Sequence, residues 1–214
     1  MDRFDRPRQA LAIAIAFLAG LVDAVGFVSA DRYFVSFMSG NTTRLAVDLV
    51  TQPVRAGMPA LLILGFVMGV AGGKVAATRA GRWRKPVLMT LVALLLAIAG
   101  LLHGAGVRGA VLGAMVLAMG AVNNAFQRDG ETAVGLTYMT GALVRLGQGI
   151  GAALVGERLS GWSSYLLLWC GLFAGAIAGA LLFTRLGGTA LWLASLLAVL
   201  LAIWAWRIAQ REPR

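Results

Sequence analysis

Phe37-Met38-Ser39-Gly40-Asn41-Thr42-Thr43-Arg44-Leu45, residues 37–45, is the stretch on which the reading of the fold turns. It gathers three hydroxyls, a glycine, an amide and an arginine in a chain of 214 residues that is 59% hydrophobic and 13% charged. Soluble domains carry roughly 25% charged residues. So few charges cannot cover a core of this size with polar surface, so the chain reads as a multispanning membrane protein. A mean hydropathy of +0.81 agrees. Six tryptophans and 28 glycines fit as well, because Trp favours the headgroup boundary and Gly is commoner in membrane helices than in soluble ones.

Around that stretch, six apolar runs approach the roughly 20 residues needed to cross about 30 Å of hydrocarbon. They cover residues 10–30, 57–78, 86–105, 109–126, 162–183 and 190–208. Two further segments, 33–50 and 134–155, are apolar only in part and carry Ser, Thr, Gly, Asn, Gln and Arg. Basic residues before the first run resemble a signal-peptide start. Asp23 interrupts that run, however, and the residues after it recur later in the chain, which argues against removal.

The recurrence is a tandem duplication, with one copy over about 10–105 and the other over about 107–208 of a single membrane domain, 1–214. Gly20-Leu21-Val22-Asp23 lies over Gly120-Ala121-Val122-Asn123. Phe37-Met38-Ser39-Gly40 with Arg44-Leu45 lies over Tyr138-Met139-Thr140-Gly141 with Arg145-Leu146. Gly65, Gly69, Gly73, Thr78, Arg79 and Gly81 match Gly171, Gly175, Gly179, Thr184, Arg185 and Gly187, and residues 91–97 resemble 196–202.

Basic residues choose between two topologies. If both polar segments span, eight helices form a parallel 4+4 repeat, and the loops split nine basic residues against seven. If both enter and leave on one side, six spans form an inverted repeat. One side then holds Arg3, Arg6, Arg8, Arg79, Arg82, Arg84, Lys85, Arg128, Arg158, Arg207, Arg211 and Arg214, against Arg32, Arg55, Arg108 and Arg185 on the other. Lys and Arg accumulate on the cytoplasmic side, so the second arrangement is preferred, with both termini cytoplasmic. The eight-span bundle is the alternative. The net charge of +10 therefore marks topology rather than a nucleic-acid partner.

Irregular backbone at membrane depth survives only when buried in protein or facing a watery cavity. The glycines of the two polar segments read as places where a helix breaks or re-enters. An arginine near the bilayer centre costs several kcal/mol or so unless paired or hydrated. Arg44 has Asp48 one turn on as a local partner, whereas Arg145 has Gly149 there. Asp23 stands alone in its run, and a contact from it to Arg44 or Arg145 is expected.

These residues also carry a resemblance. Ala19-Gly20-x-x-Asp23-Ala24-x-Gly26-Phe27, then Phe34 and Met38-Ser39-Gly40-Asn41-Thr42, is similar to the signature of the YoaK family of bacterial membrane proteins, domain of unknown function 1275. Ala118-Met119-Gly120-Ala121, Asn124-Ala125, Leu136-Thr137-Tyr138-Met139-Thr140-Gly141 and Arg145-Leu146-Gly147 resemble its second block. Ser39 stands where the family usually has Thr, and Asn123 where an amide or acid often precedes Asn-Ala; both swaps keep a polar group. The resemblance implies an integral membrane protein and carries no established activity.

Broken helices in two related halves are how transporters build a solute site near the midplane, and helix N-termini suit an anionic group. The candidate solute-binding residues are Asp23, Ser39, Gly40, Asn41, Thr42, Arg44, Asn123, Asn124, Thr140, Gly141, Arg145 and Gln148, with Asp23 able to carry a coupling proton. The expectation is a transporter or channel for a small solute, the anionic class being the one these groups suit. The competing reading is a scaffold or partner-binding subunit whose polar side chains only tie helices together. The Gly65, Gly69, Gly73 face and its copy at Gly171, Gly175, Gly179 read as close helix contacts, between the copies or in a homodimer. Cys170 and His103, each the sole residue of its type, provide neither a disulfide framework nor a metal site. Ser39 or Thr140 beside Asp23 is too poor a set for catalysis. No enzyme activity and no cofactor is expected.

Overall fold

The computed structural model describes residues 5–30, 32–128, 131–132, 139–157 and 161–211. Among these, eight α-helices follow in order: α1 (Arg6–Ser29), α2 (Met38–Thr51), α3 (Gly57–Ala80), α4 (Arg84–Gly104), α5 (Arg108–Val122), α6 (Thr140–Leu154), α7 (Trp162–Leu186) and α8 (Thr189–Gln210). A two-residue antiparallel ladder pairs Gln127–Arg128 with Glu131–Thr132. The six apolar runs are α1, α3, α4, α5, α7 and α8. Among the described residues, four stretches are long and apolar enough to cross a membrane: Arg6–Ser29, Pro53–Gly104, Trp162–Leu186 and Thr189–Gln210. The second is 52 residues long and holds α3 and α4, joined by a 3-10 turn at Gly81–Trp83, while α5 is a shorter apolar helix.

Sequence sets the helix ends. Pro7 lies in the first turn of α1, where its missing N–H costs nothing. Gly81 after α3 and Gly187 after α7 both take φ +54, a region open to glycine at little cost. Each lets the chain double straight back into the next helix.

Without a hydrophobic drive between helices in lipid, close packing and interhelical hydrogen bonds hold them together. Glycine makes the approach close. On α7, Gly171, Gly175 and Gly179 rest against Ile13, Phe17 and Leu21 of α1, while Gly20 of α1 rests on the Leu172 carbonyl. On α3, Gly65, Gly69 and Gly73 rest against Val116, Leu117 and Ala121 of α5, and Gly120 of α5 rests on the Phe66 carbonyl. In both pairs the residue numbers climb together, so the helices run parallel. The third pair is antiparallel: Gly100 of α4 meets Trp192 of α8, Gly188 meets His103, and the buried Ser195 hydroxyl donates to the Ala93 carbonyl at 2.8 Å.

With the tight turns at Gly81 and Gly187, these pairings orient the bundle. Helices α1, α4 and α7 point one way, and α3, α5 and α8 the other. The segment from Ala30 to Ala56, which contains α2, therefore leaves and returns at one end, and the segment between α5 and α7, which contains α6, does so at the opposite end. Both described chain ends meet in one recess, where Asp5, Arg6 and Arg8 face Arg207 and Arg211. The outward surface is apolar, with Leu61, Leu64 and Met68 of α3 and Leu167, Phe173 and Leu181 of α7 exposed.

One expectation is corrected. The backbone does not break at Gly40 or Gly141: both lie in the first turn of a helix, α2 or α6. The irregular stretch comes earlier, at residues 33–37. Its counterpart at 134–138 lies outside the described residues.

Candidate functional site

The non-helical residues 33–37 are pinned from both flanking helices. Tyr33, Val35 and Ser36 are buried, so their peptide groups need partners inside the protein. From α1, Oδ1 of Asp23 accepts the backbone N–H of Val35 at 2.8 Å and of Ser36 at 2.9 Å. From α2, the fully buried Asn41 accepts the Phe34 N–H at 3.2 Å and donates to the Phe34 carbonyl at 2.7 Å, as a paired strand would. Small residues make room for the clamp. A Cβ on Gly26 would meet Val35, and one on Gly40 would meet the rings of Phe37 and Phe34. Phe27 packs on Phe34 at 4.9 Å between ring centroids, and Phe34 meets Phe37 edge-on at 5.2 Å.

Asp23, Gly26, Phe27, Phe34, Gly40 and Asn41 of the first signature block thus have mechanical duties. Asp23 reaches neither arginine proposed for it; its described hydrogen-bond partners are the backbone N–H groups of Val35 and Ser36. Thr42 turns its hydroxyl onto the Met38 carbonyl at 2.8 Å, and Ser39 is exposed on α2. Arg44 lies 4.2 Å over the Tyr33 ring centroid and donates from Nη1 to the Arg32 carbonyl. Arg32 itself is held at φ 60, the one non-glycine residue with positive φ among those described.

Beside this clamp opens a recess of about 540 Å³ lined by Arg32, Tyr33, Arg44, Asp48, Val54, Arg55 and Met58. It joins the end of α1, the flank of α2 and the start of α3. Three cations, one carboxylate and a phenol can there hold a small anion, or a zwitterion oriented by Asp48.

The described residues of the second polar stretch are arranged differently. Asn124, buried at the end of α5, donates to the Val70 carbonyl of α3 at 3.0 Å, and Gly73 leaves it space to do so. Asn123 donates back to the Met119 carbonyl at 2.8 Å. On α6, Thr140, Arg145 and Gln148 are exposed and Gly141 is half-buried. Arg145 lies 5.2 Å over the Tyr165 ring centroid. Helix α2 packs on α3 and α6 on α7, with no contact between α2 and α6 among the described residues. The expected meeting of Arg44 and Arg145 about a shared interior therefore does not occur, because the two segments occupy opposite ends of the bundle.

Sequence reasoning passed over Arg32, Tyr33, Arg55 and Met58, along with the peptide groups of residues 34–36. Isolated arginines in short loops read as topology markers, and nothing in a sequence signals backbone N–H groups as the partners of an acid.

Apolar helices long enough to span, an apolar exterior and polar side chains spent on internal backbone define a polytopic helical membrane protein. The chain belongs to the DUF1275 family of proteins of unknown function, which it matches over residues 11–204. It is 44% identical over 203 residues to a UPF0700 transmembrane protein of Rhizobium meliloti (strain 1021), covering 94% of this chain and 88% of the relative. No solved structure matches.

Proposed function

We propose that this chain is a six-crossing, inverted-repeat protein of the bacterial plasma membrane that passes a small anionic solute, recognised first in the arginine-lined recess beside α2. The duplication is supported by equivalent packing: Gly69 and Gly175 sit on Leu117 and Phe17, while Gly20 and Gly120 sit on Leu172 and Phe66. Six crossings fit the helix directions, which have α2 and α6 each leave and return at one end. The face bearing Arg6, Arg8, Arg82, Arg84, Lys85, Arg207 and Arg211 is the cytoplasmic one by the basic-residue rule, with both termini on it. The arginine recess then opens to the outside.

The observation that carries the transport reading is the recess itself: Arg32, Arg44 and Arg55 around about 540 Å³, with the Tyr33 wall held in place by the clamp. No chemical step on the solute belongs to this reading. Purified protein in liposomes, tested with a panel of labelled inorganic anions, carboxylates and amino acids, should take up at least one. Arg55→Gln should reduce that flux without loss of folded protein. Null flux across the panel overturns the proposal.

A scaffold reading is favoured by one specific observation: Asp23 and Asn41, the most deeply placed polar residues of the first signature block, are bonded to backbone rather than to a cavity. It predicts that Asp23→Asn and Asn41→Ala lower stability, while Arg55→Gln is silent in every assay.

A further inference from the structure

At the opposite end of the molecule, the start of α4 and the end of α8 form two adjoining hollows of opposite character. One is a recess of about 280 Å³ lined by Gly81, Arg82, Arg84, Lys85, Ala205, Ile208 and Ala209. Its described lining holds three cations. The other is an apolar groove of about 480 Å³ lined by Trp83, Pro86, Val87, Thr90, Leu91, Leu94 and Trp206. The two share the same pair of helices, and their linings alternate along residues 81–87 and 205–209. From these hollows we infer that α4 and α8 hold one anionic glycerophospholipid, its phosphate in the basic recess and an acyl chain along the groove.

The chemistry of each hollow selects its part of that ligand. A volume several times that of a water admits a phosphodiester head, and the guanidinium groups of Arg82 and Arg84 suit its oxygens. Rings set the cations in place: Arg82 lies 4.8 Å over Trp83, and Lys85 lies 5.3 Å over Phe126. Tryptophans at the groove mouth, Trp83 and Trp206, are the side chains that settle at headgroup level. Below them Leu91 and Leu94 continue the groove along α4, the direction an acyl chain takes from a head at the helix end. Basic pockets between membrane helices on the cytoplasmic side suit anionic headgroups, and a zwitterionic head would bring its own cation against the three already there.

Native mass spectrometry of the detergent-purified full chain, titrated with phosphatidylglycerol or phosphatidylcholine of identical acyl chains, tests this. Retention of phosphatidylglycerol should be about tenfold the greater, and should fall toward parity as salt rises. Arg82→Gln with Lys85→Gln should abolish the preference, Leu94→Trp should weaken retention of both lipids by filling the groove, and Arg55→Gln at the far end should change neither. Glycerol phosphate at millimolar concentration should not displace the lipid, since it lacks the chain. Equal retention of the two lipids by the native protein, a preference unchanged in the double variant, or displacement by glycerol phosphate alone overturns the inference. If the double variant does not fold, the salt titration and the Leu94→Trp protein still decide.

Discussion

Asn41 holds the peptide of Phe34 on both sides, accepting its N–H and donating to its carbonyl, so that one buried side chain stands in for a neighbouring strand. Asn41 is fully buried, so water is poorly placed to take over either bond. Asn41→Ala should therefore cost about 1–3 kcal/mol for each orphaned group, less whatever the loop recovers by relaxing. Asn41→Asp, which keeps the acceptor and loses the donor, should fall between the two. Thermal unfolding in detergent, followed by fluorescence-detected gel filtration, checks the order.

Asp23→Asn keeps one oxygen for the Val35 and Ser36 N–H groups but brings an amide that donates where only acceptors are wanted. It should destabilise measurably yet less than Asp23→Ala. Reversed charges should not rescue each other: Asp23→Arg combined with Arg145→Asp is expected to be as poorly folded as Asp23→Arg alone, because the two residues do not touch. Restoration of folded protein by that double variant would be the contrary result.

Glycine substitutions should divide sharply by location. Gly175→Ala drives a methyl into the Phe17 carbonyl and Gly69→Ala drives one into Leu117, whereas Gly72 and Gly113 face open space. The first two should lose folded protein in detergent extracts. The other two should match the parent, or gain slightly from alanine's better helix propensity, worth up to about 1 kcal/mol.

Topology is open to single-cysteine labelling on a Cys170→Ser background. Cysteines at Val54 and Arg108 should react with an impermeant maleimide from one side of sealed cells, and those at Arg82 and Gln210 only after permeabilisation. An eight-span parallel bundle would instead put Val54 on the same side as Gln210.

The apolar helices were legible from sequence because run length, α5 apart, meets the bilayer requirement, and the glycine spacing already announced close contact at Gly65–Gly69–Gly73 and at Gly171–Gly175–Gly179. The clamp was not legible. Sequence logic seeks an opposite charge for Asp23, whereas the fold supplies amides 12 and 13 residues away, across a turn whose shape no periodicity encodes. Gly40 read as a break because glycine opens helices; here it spares room for the Phe37 ring, and the break falls among Tyr33, Phe34 and Val35, residues that suit extended backbone. Arg32 and Arg55 are far from Arg44 in sequence pattern, and only the return of the chain at the end of α1 brings the three together.

The parallel seat of α1 on α7 has a consequence for how the chain is made. Roughly 150 residues separate the start of one from the start of the other, so the first helix enters the bilayer long before its resting surface has been synthesised. Until then the α1 flank that carries Ile13, Phe17, Gly20 and Leu21 must wait among lipids or be sheltered by the insertion machinery. Assembly thus waits on α7, and a nascent chain cut short before that helix emerges should be recognised and degraded as incomplete.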